Sequence, residues 1–295
     1  MAPTGGALLA LGTAPVALAQ MPSQPAANGA AQPLQATPDR LAASATYADL
    51  VTLAQSSDLV LRAQIRRQTA LKPERAPGLA PGFARLYIEA DTLALIAGNT
   101  SVGESLVYLV DVPLGADGKP PKLKKREMLL FARPGGRGPK GALQLQLAGK
   151  YAQLAYSPEL EARLRPVLGA LVAADVPPVV TGVRDALAVP GTLVGESETQ
   201  IFLESEDGSP VSITVLRRPG QPVAWGVSWG EIIDSAASSP APRTLRWYRL
   251  ACALPPSLPS SANLARDPEA RALAERDYAH VIEALGPCER VLTAS

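Results

Sequence analysis

Gly226-Val227-Ser228-Trp229-Gly230 is a G-x-S-x-G run. In a nucleophile elbow this spacing lets two glycines permit a sharp strand-to-helix turn that exposes the serine hydroxyl. The single histidine, His280, lies downstream with Asp234 between, the Ser, Asp, His order of an α/β-hydrolase triad. The same residues also read as a strand end, because Trp225, Val227 and Trp229 alternate onto one face. Two features favour the strand. An α/β-hydrolase needs strands and helices in alternation ahead of its elbow, whereas this chain runs strand after strand there. His280 also falls inside a helical pattern with Tyr278, Ala279, Val281 and Ile282, not on a loop. A serine hydrolase using Ser228, His280 and Asp234 is therefore the alternative reading, and the main one assigns no catalytic residue.

Metal chemistry has little to work with. One histidine and two cysteines cannot close a zinc site. The acids Glu196, Glu198, Glu204, Glu206 and Asp207 lack the ordered ligand spacing of a calcium loop and suit the solvent face of a hairpin. Neither G-x-x-x-x-G-K-[ST] nor G-x-G-x-x-G occurs, so no phosphate cradle, cofactor or metal is expected. Basic residues are better organised. Lys119, Lys122, Lys124, Lys125 and Arg126 lie in one connector; Arg133, Arg137 and Lys140 lie in the next. If those connectors are neighbouring loops of a small barrel, they group into a patch for an anionic polymer. Solvated lysines guarding a strand edge are the plainer reading. Stacking of a bound strand would call on Tyr87, Tyr108 or Phe131, each of which also suits a core.

The elements that must position these residues are mostly strands. Thr46-x-x-Asp49 resembles a capping box opening a short helix that ends at Ser56-Ser57. Strands are expected over 59–66, 85–96, 106–112, 128–132 and 143–147, with no helix between them. Five strands in that span fit a small antiparallel barrel of the OB type. Gly135-Gly136-Arg137-Gly138 suits a mobile hairpin loop between the last two. Ser157-Pro158-Glu159 opens a helix to about Ala173, with Pro166 expected to kink it. Further strands are expected over 179–187, 199–205, 211–217, 223–229 and 245–251, with a hairpin turn at Asp207-Gly208. Asp267-Pro268-Glu269 starts a C-terminal helix and Gly286-Pro287 stops it. The fold expected is β-dominated α+β: an OB-like barrel, then a second β-rich part with a C-terminal helix.

Apolar residues are 47 % of the 295, but aromatics only 4 %, so the core must be largely aliphatic. The net charge of +1 gives no whole-protein attraction to nucleic acid or to an anionic membrane. Ala7–Ala19 is an apolar run ending in a small-x-small site before Gln20, although no Lys or Arg precedes it. Residues 1–19 thus read as a signal peptide and 20–45 as a flexible leader. Residues 46–150 form the barrel domain, 151–178 a linking helix, and 179–295 the second β-rich domain. No later run of eighteen apolar residues occurs, so no transmembrane segment is expected in the mature chain. In an oxidising compartment Cys252 and Cys288 are expected to pair, pinning the last helix to the last strand.

Leu106–Pro113 (LVYLVDVP), Gly195–Leu203 (GESETQIFL) and Leu285–Cys288 (LGPC) resemble a family of uncharacterised exported bacterial proteins. The resemblance implies export and carries over no activity and no functional residue. The expected function is a non-enzymatic periplasmic or secreted binding or accessory module, with an anionic polymer or an envelope protein as candidate partner. A polyanion-binding module working through the 119–140 loops is the second alternative.

Overall fold

Alternation in the longest strand sorts its side chains cleanly. Leu86, Ile88 and Ala90 turn inward and are fully buried, while Phe83, Arg85, Tyr87 and Glu89 face out. The computed structural model describes Met1 and residues 37–138, 141–230 and 238–293. Strands β1 (Leu59–Ala70), β2 (Phe83–Ala97), β3 (Ser105–Pro113), β4 (Glu127–Arg137) and β5 (Leu143–Leu147) pair in the order β1-β2-β3-β5-β4, and β4 returns to β1. All neighbours are antiparallel except β3 and β5, which run parallel. This is a closed five-stranded barrel of OB type. A short β6 (Gln153–Ala155) pairs antiparallel with the first half of β4. Met128–Ala132 is buried on both faces, one lining the barrel and the other covered by packed elements, which is why its sequence runs apolar without a break. Gly98 ends β2 because its φ of +118° and the Asp58 carbonyl, 2.6 Å from where a Cβ would sit, leave no room for a side chain.

Two expectations about this half change. β4 continues through Gly135 and Gly136 to Arg137, across a bulge opposite β5, so these glycines are strand and not loop. Order also begins earlier than Thr46. Helix α1 (Pro38–Ser44) is capped by the Thr37 hydroxyl, buries Pro38 and Ala42, packs on β6 and pairs Asp39 with Arg126. Polar composition hid it, since tertiary contacts and not propensity hold it. The expected capping box is present in α2 (Tyr47–Gln55), and α3 (Pro158–Leu171) starts at Ser157 with Pro166 inside it.

The second sheet is antiparallel, β10-β9-β8-β7, from β7 (Val180–Pro190), β8 (Ser197–Ser205), β9 (Val211–Arg217) and β10 (Ala224–Ser228). Asp207-Gly208 makes the β8–β9 turn. The strand expected over 245–251 is instead a helix, α4 (Leu245–Ala251). Seven residues with five buried fit either period, and the Thr244 side chain, accepting from the Trp247 N–H, decides for helix. Helix α5 (Pro268–Leu285) is capped as expected by Asp267 and lies on β7 and β8. The Cys252–Cys288 disulfide is formed, but it joins α5 to the end of α4, not to a strand. From Gln35 onward the chain is one compact unit, and one buried cluster runs from the barrel through α2, α3 and α4 to the second sheet. Among the described residues no helix is long and apolar enough to cross a membrane.

Candidate functional site

Ser228 and His280 do not meet. Helix α5 covers the face of the second sheet that carries Thr199 and Arg217, both of which bond the buried Asp277 carboxylate at 2.5 and 2.6 Å. Trp225 and Val227 share that face through their pairing with Val215 and Ile213. Ser228 is one residue out of phase, so its side chain turns to the opposite face, beside Ser212. His280 sits half-buried on α5. Asp234 lies outside the described residues. Among the described residues no cluster of His, Cys, Asp or Glu could hold a metal ion.

The two basic connectors do not converge either. Residues 119–126 lead into the start of β4, whereas Arg133 and Arg137 lie on β4 itself, farther along the strand. Lys119, Lys122, Lys124 and Lys125 are exposed at one end of the barrel; Arg126 pairs with Asp39. Arg133 and Arg137 are exposed along β4 toward the other end, where Arg137 donates to the Gly141 carbonyl. Lys140 lies outside the described residues. Tyr108 and Phe131 are core: Tyr108 donates its hydroxyl to Gln153 at 2.7 Å, and burial pushes its phenol pKa up. Of the three aromatics considered for stacking, only Tyr87 reaches the surface.

What Tyr87 faces is a groove of about 730 Å³ on the outer side of β2, β3 and β5. Strand register builds its floor in rows. Arg85 stands opposite Asp111, and the guanidinium donates to both carboxylate oxygens at 2.7 and 2.8 Å. That carboxylate holds the Arg85 pKa above its ordinary value, so the fork stays charged. Its remaining nitrogen donates to the Pro77 carbonyl at 3.2 Å, tying the 71–82 loop to the groove edge. Tyr87 stands opposite Leu109, which is 48 % exposed, a large value for leucine inside a strand. Gln144 pairs with Val107, and Gln146 follows on the same side of β5. Gly78 and Ala80 form one wall; Gly149 and Lys150 form the other, with the Lys150 Nζ 4.5 Å from the centre of the Phe83 ring.

The groove offers an apolar strip edged by two amides, a fixed Arg–Asp fork and a lysine. Such a lining can bind and orient a ligand that has both an apolar face and polar edges. Sequence reasoning missed Phe83, Arg85, Leu109, Asp111, Gln144, Gln146 and Lys150. The alternation of Leu143–Leu147 did put the two glutamines on one face, but nothing in it said that this face adjoins Tyr87. Neither a protein-family model nor a curated protein matches the chain, so the geometry stands as the guide to function.

Proposed function

We propose that this chain is a non-enzymatic exported binding module that holds an oligosaccharide segment in the groove on β2, β3 and β5. One observation carries the reading: a solvent-facing aromatic and an exposed leucine lie beside the Arg85–Asp111 pair, whose planar groups are fixed by their own hydrogen bonds. A sugar ring matches that surface, with a flat C–H face for Tyr87 and rim hydroxyls for Gln144, Gln146 and Asp111. The strand 2–3 face is also where OB barrels take oligomers, which is an analogy of fold only. Export is supported by the disulfide and by the apolar run near the start of the sequence.

Titration calorimetry against a panel of neutral oligosaccharides tests the reading. Tyr87→Ala is expected to weaken the tightest binder about tenfold, or ~1.4 kcal/mol, and to leave the unfolding midpoint unchanged because the ring faces outward. Absence of heat with every member of the panel, or equal affinity in the variant, rejects the groove. The hydrolase alternative has its own measurement. A fluorophosphonate probe is expected to leave the wild type unlabelled; labelling abolished by Ser228→Ala would replace binding with hydrolysis as the function.

A further inference from the structure

Strand order brings together two loops that are distant in sequence. Residues 71–82 leave β1 for β2, residues 114–126 leave β3 for β4, and both lie at the same end of the barrel. Together they carry seven basic side chains against two acids, Glu74 and Asp117. Lys72, Arg75, Lys119, Lys122, Lys124 and Lys125 are all exposed, and among the described residues none of them forms an ion pair. We propose that this basic end of the barrel docks a linear acidic polysaccharide, independently of the groove.

The 114–126 loop is held, not merely solvated. The Gln68 side chain donates to the Pro121 carbonyl at 2.9 Å and accepts from the Leu123 N–H at 2.5 Å. Leu123 is buried beneath the loop. The backbones of Ile65, Lys125 and Arg126 exchange hydrogen bonds of 2.7 and 2.9 Å. The loop therefore presents its lysines from a fixed backbone, which lowers the entropy lost on binding. Lys125 is the telling residue. It has a φ of +68° in a turn closed by the Arg126 N–H on the Leu123 carbonyl, a place that glycine fills without strain. A lysine kept in a left-handed conformation, beside a second lysine and with no acidic partner, points to use of its charge.

The class of partner follows from what the two loops lack. Neither contains an aromatic residue, so bases have nothing to stack on. None of the large apolar side chains exposed among the described residues falls in either loop, so nothing there inserts into a bilayer. The charges outside the Asp39 pair are mostly lysines, point charges without the fork that selects a single phosphate. Spaced negative charge on a flexible, base-free chain fits that set.

The test uses heparin as probe on the full chain, with affinity measured across a series of salt concentrations. Binding is expected to weaken linearly in log–log form as salt rises. Lys124→Ala/Lys125→Ala is expected to bind about tenfold more weakly and to lose about two units of salt slope, one per lysine. Lys125→Gly separates charge from fold, since its thermal midpoint should hold or rise while heparin affinity falls. Tyr87→Ala should leave heparin affinity unchanged, so failure of the groove and failure of this surface are told apart. Flow-through at low salt, unchanged affinity in the lysine variants, or elution from heparin no later than from a sulfonate resin would each overturn the proposal. So would tighter binding of oligo(dT), or of phosphatidylglycerol vesicles, at equal charge concentration.

Discussion

Asp49→Ala is expected to lower the unfolding free energy by about 3–5 kcal/mol, read from denaturant midpoints at neutral pH. Asp49 is fully buried at the start of α2, where its carboxylate accepts from the Thr46 N–H. It also accepts the backbone N–H groups of Val291, Leu292 and Thr293 and the Thr293 hydroxyl, at 2.9 to 3.1 Å. Removing the carboxylate orphans several donors at once, and an orphaned buried donor costs about 1–3 kcal/mol. Thr46→Ala keeps the N–H bond to Asp49, removes only the hydroxyl that accepts from the Asp49 N–H and bonds the Glu289 carbonyl, and should cost about 1 kcal/mol. Equal effects from the two variants would mean that the tail contacts contribute nothing.

The same carboxylate sets an acid limit. Burial alone pushes its pKa up, but the hydrogen bonds from Thr46, Val291 and Thr293 outweigh that and leave it below the ordinary value. A carboxylate depressed in the folded state stabilises fully above its unfolded pKa of about 3.9 and loses that contribution as pH falls through the folded pKa. The wild type should therefore lose stability more steeply below about pH 4 than Asp49→Asn does. Parallel acid titrations of the two proteins would show that Asp49 is not the group responsible.

Reduction of the Cys252–Cys288 bond has the second large effect. The bridge spans 36 residues of separation. Chain-entropy reasoning assigns a loop of that length about 4 kcal/mol. The Cys252→Ser/Cys288→Ser variant, and the wild type in strong reductant, should unfold at the same lowered midpoint. A midpoint unaffected by reductant would show that the helices hold their places without the sulfur link.

Much of the barrel was legible because its strands alternate and their ends carry turn residues. Leu143–Leu147 and Val211–Arg217 were read to the residue. Residues 245–251 were misread because a seven-residue amphipathic stretch satisfies a period of 2 as readily as 3.6. The groove was not legible because it is a product of register. Arg85 and Asp111 are 26 positions apart and meet only when β2 and β3 pair, and Gln144 reaches Val107 only through the parallel β3–β5 contact that closes the barrel. The faces of Ser228 and Trp225 were already opposed in the alternation, but which of them α5 covers depends on tertiary packing. The basic connectors were expected to group as neighbouring loops of a small barrel. Arg133 and Arg137 lie instead on β4 itself, and the loop that does adjoin residues 114–126 is the one from β1 to β2.

The Thr46 hydroxyl donates to the Glu289 carbonyl across 243 positions, beside the three tail amides held by Asp49. Residues 289–293 thus cover the first turn of α2 and fill the acceptor sites of its buried carboxylate. Detachment of residues 289–293 would bare that turn and the Asp49 carboxylate together, so two segments far apart in sequence open as one.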